Sequence, residues 1–438
     1  MQNIIGIRQE NIDPTEKRAP LTPKHVADLI RKHNLTVIVE PAANRIFPDE
    51  AYQKAGAKIA ADLSPCNIIF GVKEVPISDF LPQKAYCFFS HTIKGQAHNM
   101  PMLKHILDLR VTLLDYEKVT NAAGQRIMFF GRYAGYAGMI DSLWALGKRL
   151  EWEEISTPFA DIQQAMHYES LQQAREAISQ IGETIASEGL PEAVTPFICG
   201  FAGYGQVSQG AQEIYDLLPT KEISPSQLAD LVKQNTFSNR VCYKVVFKEE
   251  DMMQAKSPGN RFVLNDYYSY PEKYESVFES YLPYLTVLVN GIYWEPKYPR
   301  LVTKAGLRKL FQTEGKPRLR VIGDITCDIE GSIECTLKAT NSANPIYVYD
   351  PFKETIQDGW QGNGLVVLAV DKLPSELPRE ASEAFGDALL PFVPQLAAVD
   401  FLRPFDQLEL PDAFRNALIA HNGQLTPEYK YLKKFIKV

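Results

Sequence analysis

The sequence predicts an α/β protein built on doubly wound parallel sheets. Three observations carry that reading. Residues 4–115 alternate short apolar runs with amphipathic segments at the pitch of strand–helix units. Residues 196–214 (PFICGFAGYGQVSQGAQEI) have the order apolar strand, glycine-rich turn, helix. A chain of 438 residues exceeds one ordinary core, and at roughly 150 residues per domain it divides into two or three.

Taken in order, residues 4–8 read as a first strand, followed by a charged loop over 9–21. Thr22 is placed to cap a helix with Pro23 at its first position, and His25, Val26, Leu29 and Ile30 fall at helical spacing. Strands follow at 35–39, 67–72, 85–90 and 111–115, with helices at 49–55 and around 100–109. Lys73, His91 and Glu117 each fall at or just beyond the carboxyl end of one of these strands, and Arg18 lies on the loop leaving the first. In open α/β sheets that rim is where ligands bind. Each residue alone has an ordinary reading: a solvated strand end, a helix cap, a surface carboxylate. Their gathering at one rim favours a site.

Residues 129–150 carry Gly131, Gly135 and Gly138 and then a long apolar helix. For Gly135 and Gly138 close helix packing is the preferred reading, with the helix crossing from a first lobe to a second. A polar amphipathic helix spans 170–185 and leads to the glycine stretch. There Gly203 and Gly205 let backbone N–H groups approach a ligand, and the helix start beside them favours an anion such as a pyrophosphate. Gly210 follows Gly205 by five residues, where the usual dinucleotide fingerprint has three. Glu222 lies at about the distance, roughly 20 residues past the glycines, where an acid reads the ribose hydroxyls. Its neighbour Lys221 could instead meet a 2′-phosphate, which leaves NAD against NADP open. Residues 284–294 contain a later strand expected to end at Asn290-Gly291, and further strands are expected at 319–325 with Asp324 near its end, at 346–349 and at 365–370. A turn and helix fill 371–393, and the C-terminal tail is polar, with a short helix and no motif.

Composition narrows the function classes. A net charge of −7 without a Lys/Arg run argues against a nucleic-acid surface. No apolar stretch approaches the roughly 18 residues of a membrane span, and the N-terminus does not read as a signal peptide. Six scattered cysteines without a CxxC pair read as buried free thiols rather than a metal site. A cytoplasmic, reduced protein with no metal is the expectation.

Nine blocks in one order carry a family resemblance: EKRAPLTP (16–23), GVKEVP (71–76), FFSHTIKGQ (88–96), DYEK (115–118), FGRYAGYAGM (130–139), GYGQVSQGA (203–211), LVNGIYWEPKYPRL (288–301), IGDITCDIEGSIE (322–334) and LPREASEAFGD (377–387). The sequence resembles, essentially end to end, the lysine-forming saccharopine dehydrogenases. The likeness is strongest to the lysine–ketoglutarate reductase half of the bifunctional aminoadipic semialdehyde synthases, within the wider alanine dehydrogenase and transhydrogenase group. The second enzyme of that bifunctional form has no counterpart in these residues. The resemblance implies two Rossmann-like doubly wound parallel-sheet domains separated by a cleft. The substrate domain would be discontinuous, over 1–140 and 345–438, with a dinucleotide-binding domain over 141–344.

Residue by residue, the resemblance implies an acid–base pair at Lys73 and His91. Arg18 and Gln96 would bind substrate, Phe130 would line the pocket, and Lys94 and Glu117 would be further charged groups within it. The dinucleotide turn falls on Gly203, Tyr204 and Gly205. Asn290 and Asp324 would support the cofactor's nicotinamide end, and Gly291, Ile292 and Tyr293 would face substrate. The implied reaction joins the lysine ε-amine to 2-oxoglutarate and reduces the imine to saccharopine with NADP, NAD remaining possible. Lysine, 2-oxoglutarate and saccharopine would be its partners, with no nucleic acid and no membrane. Such chemistry needs proton carriers near the working pH. Histidine is one unperturbed, and lysine becomes one beside other cations or on burial. Arginine suits the substrate carboxylates. The rival readings are an alanine dehydrogenase-like enzyme on another oxo acid and a non-catalytic nucleotide-binding regulatory module.

Overall fold

A computed structural model describes residues 3–436. The chain forms two compact units, the first running to Phe130 and resuming at Pro378, the second being Gly131–Leu377.

The first unit opens with β1 (Ile4–Ile7), α1 (Pro23–His33), β2 (Thr36–Val39), α2 (Asp49–Lys54), β3 (Lys58–Ile59), β4 (Ile68–Phe70), β5 (Ala85–Phe88), α3 (Met100–Asp108) and β6 (Thr112–Asp115). The second unit contributes α4 (Gly131–Trp152), α5 (Leu171–Glu188), β7 (Phe197–Ala202), α6 (Gln206–Tyr215), β8 (Thr220–Glu222) and β9 (Cys242–Phe247). It continues with β10 (Met253–Ala255), β11 (Tyr274–Ser276), β12 (Val287–Asn290), β13 (Val321–Asp324), β14 (Ile346–Asp350), β15 (Thr355–Asp358) and β16 (Leu365–Leu368). After the return to the first unit come β17 (Leu418–His421) and β18 (Gln424–Leu425).

The first sheet runs β18-β17-β6-β5-β4-β1-β2-β3, with β1 to β6 parallel and β17 and β18 antiparallel at one edge. Its parallel part has the doubly wound order 3-2-1-4-5-6, which opens a crevice at the carboxyl ends of β1 and β4. Runs such as Ile68–Phe70 are buried on both faces, as a covered parallel sheet requires. α1 starts as its sequence dictates: Pro23 holds the first position, the Thr22 N–H reaches His25 Nδ1 at 3.1 Å, and Asn34 ends the helix in the left-handed region at φ 52°. The tail, expected to be a polar segment with a short helix, also supplies the two edge strands. Phe385, Leu389 and Val393 share a core with Ile5, Phe70 and Cys87.

The second sheet runs β15-β14-β16-β13-β12-β7-β9-β8, parallel from β8 through β16 and antiparallel at β14 and β15. The strands near 346 and 365, expected to belong to the first lobe, pair here instead. Val348, Val366 and Leu368 bury in one core with Phe197 and Val287. The return therefore comes at Pro378 rather than 345, and the outward crossing at Gly131 rather than 141.

α4 and α6 meet backbone to backbone. A Cβ on Gly135 would collide with the Val207 carbonyl, and one on Gly210 with the Arg132 carbonyl. On Gly138 a Cβ would come 2.6 Å from Ile325 Cδ1. Gly210 is thus a helix-packing glycine, which accounts for its five-residue spacing from Gly205.

Candidate functional site

In the first unit four strand ends bring one group of side chains together. β1 leads to Arg8 and Glu10, β4 to Lys73 and Glu74, β5 to Phe89 and His91, and β6 to Glu117. His91 has a backbone φ of 48°, a left-handed conformation uncommon for a side-chain-bearing residue and found preferentially at functional sites. Its Nδ1 lies 2.5 Å from Glu74 Oε1, and its Nε2 lies 3.9 Å from Glu117 Oε1. Burial pushes the Glu74 carboxyl up, but the hydrogen bond and charge of His91 outweigh it and hold the group at about 2.

Two buried carboxyls brace this rim. Glu10 accepts the backbone N–H groups of Val72 at 2.7 Å and Lys73 at 3.0 Å, fixing the loop that carries Lys73. Burial raises its pKa despite the opposing charge of Arg8. Asp115 accepts the N–H of Ser90 at 3.2 Å and of Glu117 at 2.8 Å, and the Ser90 hydroxyl as well. It thereby ties the residue before His91 to Glu117. Burial and the Glu117 charge push Asp115 up to about 6.

Arg18 is buried against Glu16, with Nε 2.7 Å from Oε1 and Nη2 2.6 Å from Oε2. Burial pushes the Glu16 carboxyl up, but Arg18, helped by the charge of Lys73, lowers it overall. This bidentate pair occupies the Nε–Nη2 edge of the guanidinium and leaves the Nη1–Nη2 edge outside it. The Arg18 guanidinium lies 4.3 Å from the centre of the Phe130 ring, which stacks on Phe385 at 4.7 Å. Phe89 connects the two halves, 6.4 Å from His91 and 6.0 Å from Phe130.

Lys73, His91, Glu117, Arg18 and Phe130 are thus brought into one neighbourhood. Lys94 and Gln96 sit on the following loop, where Lys94 is exposed and the Gln96 side chain accepts the Lys94 N–H at 3.0 Å. Sequence reasoning passed over Glu16, Glu74 and Glu10. Glu74 and Glu16 stand one and two residues from singled-out cations, and that adjacency was the available signal.

In the second unit, β7 ends in the glycine turn. Gly203 has φ 90°, and a Cβ there would press Ile292 at 3.0 Å. Gly205 is the N-cap of the ten-residue α6 without a side-chain cap, and a Cβ on it would meet nothing within 4 Å. Open space above uncapped helix N–H groups is the cradle a pyrophosphate needs, so this turn fits a dinucleotide. A cavity of about 400 Å³ adjoins it, lined by residues 203–205, Glu249, residues 291–293 and several tyrosines and methionines.

Asn290 and Asp324 pair across β12 and β13. Asn290 Nδ2 donates to Asp324 Oδ1 at 2.8 Å, to Thr326 at 3.0 Å and to Ser332 at 2.9 Å. Both are buried, and Asn290 Oδ1 has no partner among the described residues. They hold the segment after β12 that presents Gly291, Ile292 and the 71 % exposed Tyr293.

Glu222 is a correction. It ends β8, the edge strand, with β9 between it and β7, and it pairs with Lys244 at 3.1 Å. The twenty-residue rule assumes that the next strand in sequence lies beside the glycine strand; here the neighbour is β9. β9 leads into Glu249, which lines the cavity and accepts from Tyr268 at 2.7 Å.

Comparisons with known proteins match two stretches of the chain. Residues 6–137 match a family profile described as alanine dehydrogenase/PNT, N-terminal domain, and residues 285–428 match its C-terminal domain. The alpha-aminoadipic semialdehyde synthase of Arabidopsis thaliana is 40 % identical over 99 % of this chain and 42 % of its own length. The chain therefore spans under half of that relative. The NAD(+), L-lysine-forming saccharopine dehydrogenase of Emericella nidulans is 28 % identical over 93 % of this chain and 96 % of its own. An L-alanine dehydrogenase structure superposes with a TM-score of 0.63 at 18 % identity, covering 99 % of this chain and 100 % of that one, and shares the fold.

Proposed function

Since the chain belongs to the alanine dehydrogenase/PNT family, we propose that it is a lysine–2-oxoglutarate reductase, reductively condensing the lysine ε-amine with 2-oxoglutarate to saccharopine and running the reverse reaction. The observation that supports this best is His91 flanked by Glu74 and Glu117, at the same rim as Lys73 and the Arg18–Glu16 pair. The relatives' printed names, an aminoadipic semialdehyde synthase and a lysine-forming saccharopine dehydrogenase, point the same way.

The amine nitrogen adds to the ketone carbon, water leaves, and hydride adds to the carbon of the resulting C=N bond while nitrogen keeps a proton. The hydride is what a bound reduced nicotinamide supplies. In our assignment His91 moves protons at the ketone-derived oxygen, held by Glu74, and Lys73 moves those at the amine. The free edge of Arg18 takes a substrate carboxylate, with Phe130 backing the guanidinium. The glycine turn at 203–205 holds the pyrophosphate, and Glu249 takes the ribose hydroxyls.

A carboxylate at that position, in a cavity lined by no lysine or arginine among the described residues, suits a free 2′-hydroxyl better than a 2′-phosphate. We therefore read the cofactor as NAD(H) over the NADP(H) that the sequence resemblance favours. The six free thiols suit a reducing compartment, read as the cytoplasm. The test is oxidation of NADH and of NADPH by the purified protein with lysine and 2-oxoglutarate together, each alone, and with ammonia in place of lysine. Consumption with ammonia but not lysine would move the assignment to an alanine dehydrogenase-like activity. Binding of either cofactor without turnover would move it to a regulatory module.

A further inference from the structure

The second unit holds another cavity, at the sheet's opposite end from the glycine turn, where β13 and β16 begin. It is about 590 Å³, within the range of small-molecule sites. Four cations line it, Arg149, Lys316, Arg320 and Lys353, against two carboxylates, Glu153 and Asp350.

Glu153 is at the centre of the cluster, its side chain 2 % exposed. It takes Arg149 Nε at 2.8 Å, Arg320 Nε at 3.1 Å and Lys316 Nζ at 3.0 Å. One buried carboxylate thus faces three cations. Arg149 gives three further N–H groups to the carbonyls of Trp360, Gly362 and Gly364, and so fixes the loop before β16. Arg320 is different. Its side chain is 10 % exposed, Nε meets Glu153 and Nη1 meets the Pro317 carbonyl, while Nη2 has no partner among the described residues. Lys316 and Lys353 reach water with side chains 64 % and 77 % exposed.

Flat apolar surface stands beside this charge. Trp152, 41 % exposed, has the Arg149 guanidinium 4.6 Å from its ring centre, and Phe352 is 54 % exposed. An excess of cations around a concave pocket, a buried arginine with donors unspent, and exposed aromatic faces together form a receptor for anionic groups attached to rings.

We propose that this cavity is a second ligand site, which takes a small organic anion bearing a phosphate or carboxylate and a flat ring. The anionic group meets Arg320 Nη2, Lys316 and Lys353, and the ring lies against Trp152 and Phe352. The site is separate from the glycine turn and does not depend on the reductase reading.

The test is calorimetric titration of the full chain with phenyl phosphate and with benzoate, each compared with inorganic phosphate. Saturable binding of one ring-bearing anion below about 1 mM is expected, with inorganic phosphate about tenfold weaker. Whichever of the two binds more tightly identifies the anionic group. The double variant Lys316→Gln, Lys353→Gln removes two charges, together with their pairings to Glu153 and Asp350, and should weaken binding about tenfold while Tm shows the fold retained. The indole fluorescence change on binding should vanish in Trp152→Phe. The proposal is overturned if neither ring-bearing anion saturates by about 10 mM, or if affinity in the double variant equals that of the parent.

Discussion

His91 Nδ1 and Glu74 Oε1 are 2.5 Å apart, although the residues come from different strand ends, β5 and β4. Glu74 orients the ring and fixes which nitrogen faces Glu117. Replacing Glu74 with Gln keeps the volume and removes the charge. In the proposed reaction kcat should fall about 10²-fold, within the range of one acid–base contribution, while the dinucleotide KM stays unchanged. Steady-state kinetics in both directions check this, and an unaltered kcat would detach Glu74 from the chemistry.

Glu249 and Glu222 divide the ribose question. Glu249→Gln should raise the NADH KM about tenfold and narrow the preference over NADPH, because a charge-assisted hydrogen bond to the ribose is lost. Glu222→Gln should leave both cofactors unaffected, since that carboxylate is engaged with Lys244 on the edge strand. The reverse pattern would restore the sequence-based assignment.

The rim was legible because parallel strands announce themselves as buried apolar runs, and reactive residues just past 72, 90 and 115 must then share an edge. Strand order was not legible. Nothing in residues 216–250 says that Cys242–Phe247 inserts beside β7 and displaces Thr220–Glu222 outward, so spacing alone chose Glu222. The domain boundary failed for a related reason. An apolar strand such as Leu365–Leu368 suits either sheet, and only its pairing with β13 decides. Gly135 was read correctly because a helix tolerates glycine mainly where another backbone comes close.

Gly203 and Gly135 should therefore respond differently to a side chain. Gly203→Ala forces a strained φ of 90° and crowds Ile292, and should raise the dinucleotide KM about tenfold with the fold intact. Gly135→Val drives a side chain into the Val207 carbonyl and should cost about 3 kcal/mol of stability or more, read as a lowered Tm. A Gly135→Val protein as stable as the parent would contradict the α4–α6 contact.

Asp141 and Glu376 are both buried in the second unit, and the charge of Asp141 acts on Glu376. Burial pushes Asp141 up to about 6, against the hydrogen bond from the Ala165 N–H and the charge of His167. Burial and then the Asp141 charge push Glu376 well above the usual range. The native state keeps protons here that the unfolded chain has released above about pH 4, so this pair's contribution to stability falls as pH rises through 4 to 6 and beyond. Glu376→Gln should reduce that part of the pH dependence of Tm by about half or more. An identical slope in the variant would show that the pair does not titrate as a unit.

The most direct measurement follows the hydride itself. NADH deuterated at both C4 positions is incubated with the protein, lysine and 2-oxoglutarate, and the products are read by mass spectrometry. One deuterium is expected in saccharopine, on the carbon that was the ketone. Deuterium in glutamate formed with ammonia, or in no product while lysine and 2-oxoglutarate are both present, would contradict the lysine–2-oxoglutarate reductase assignment.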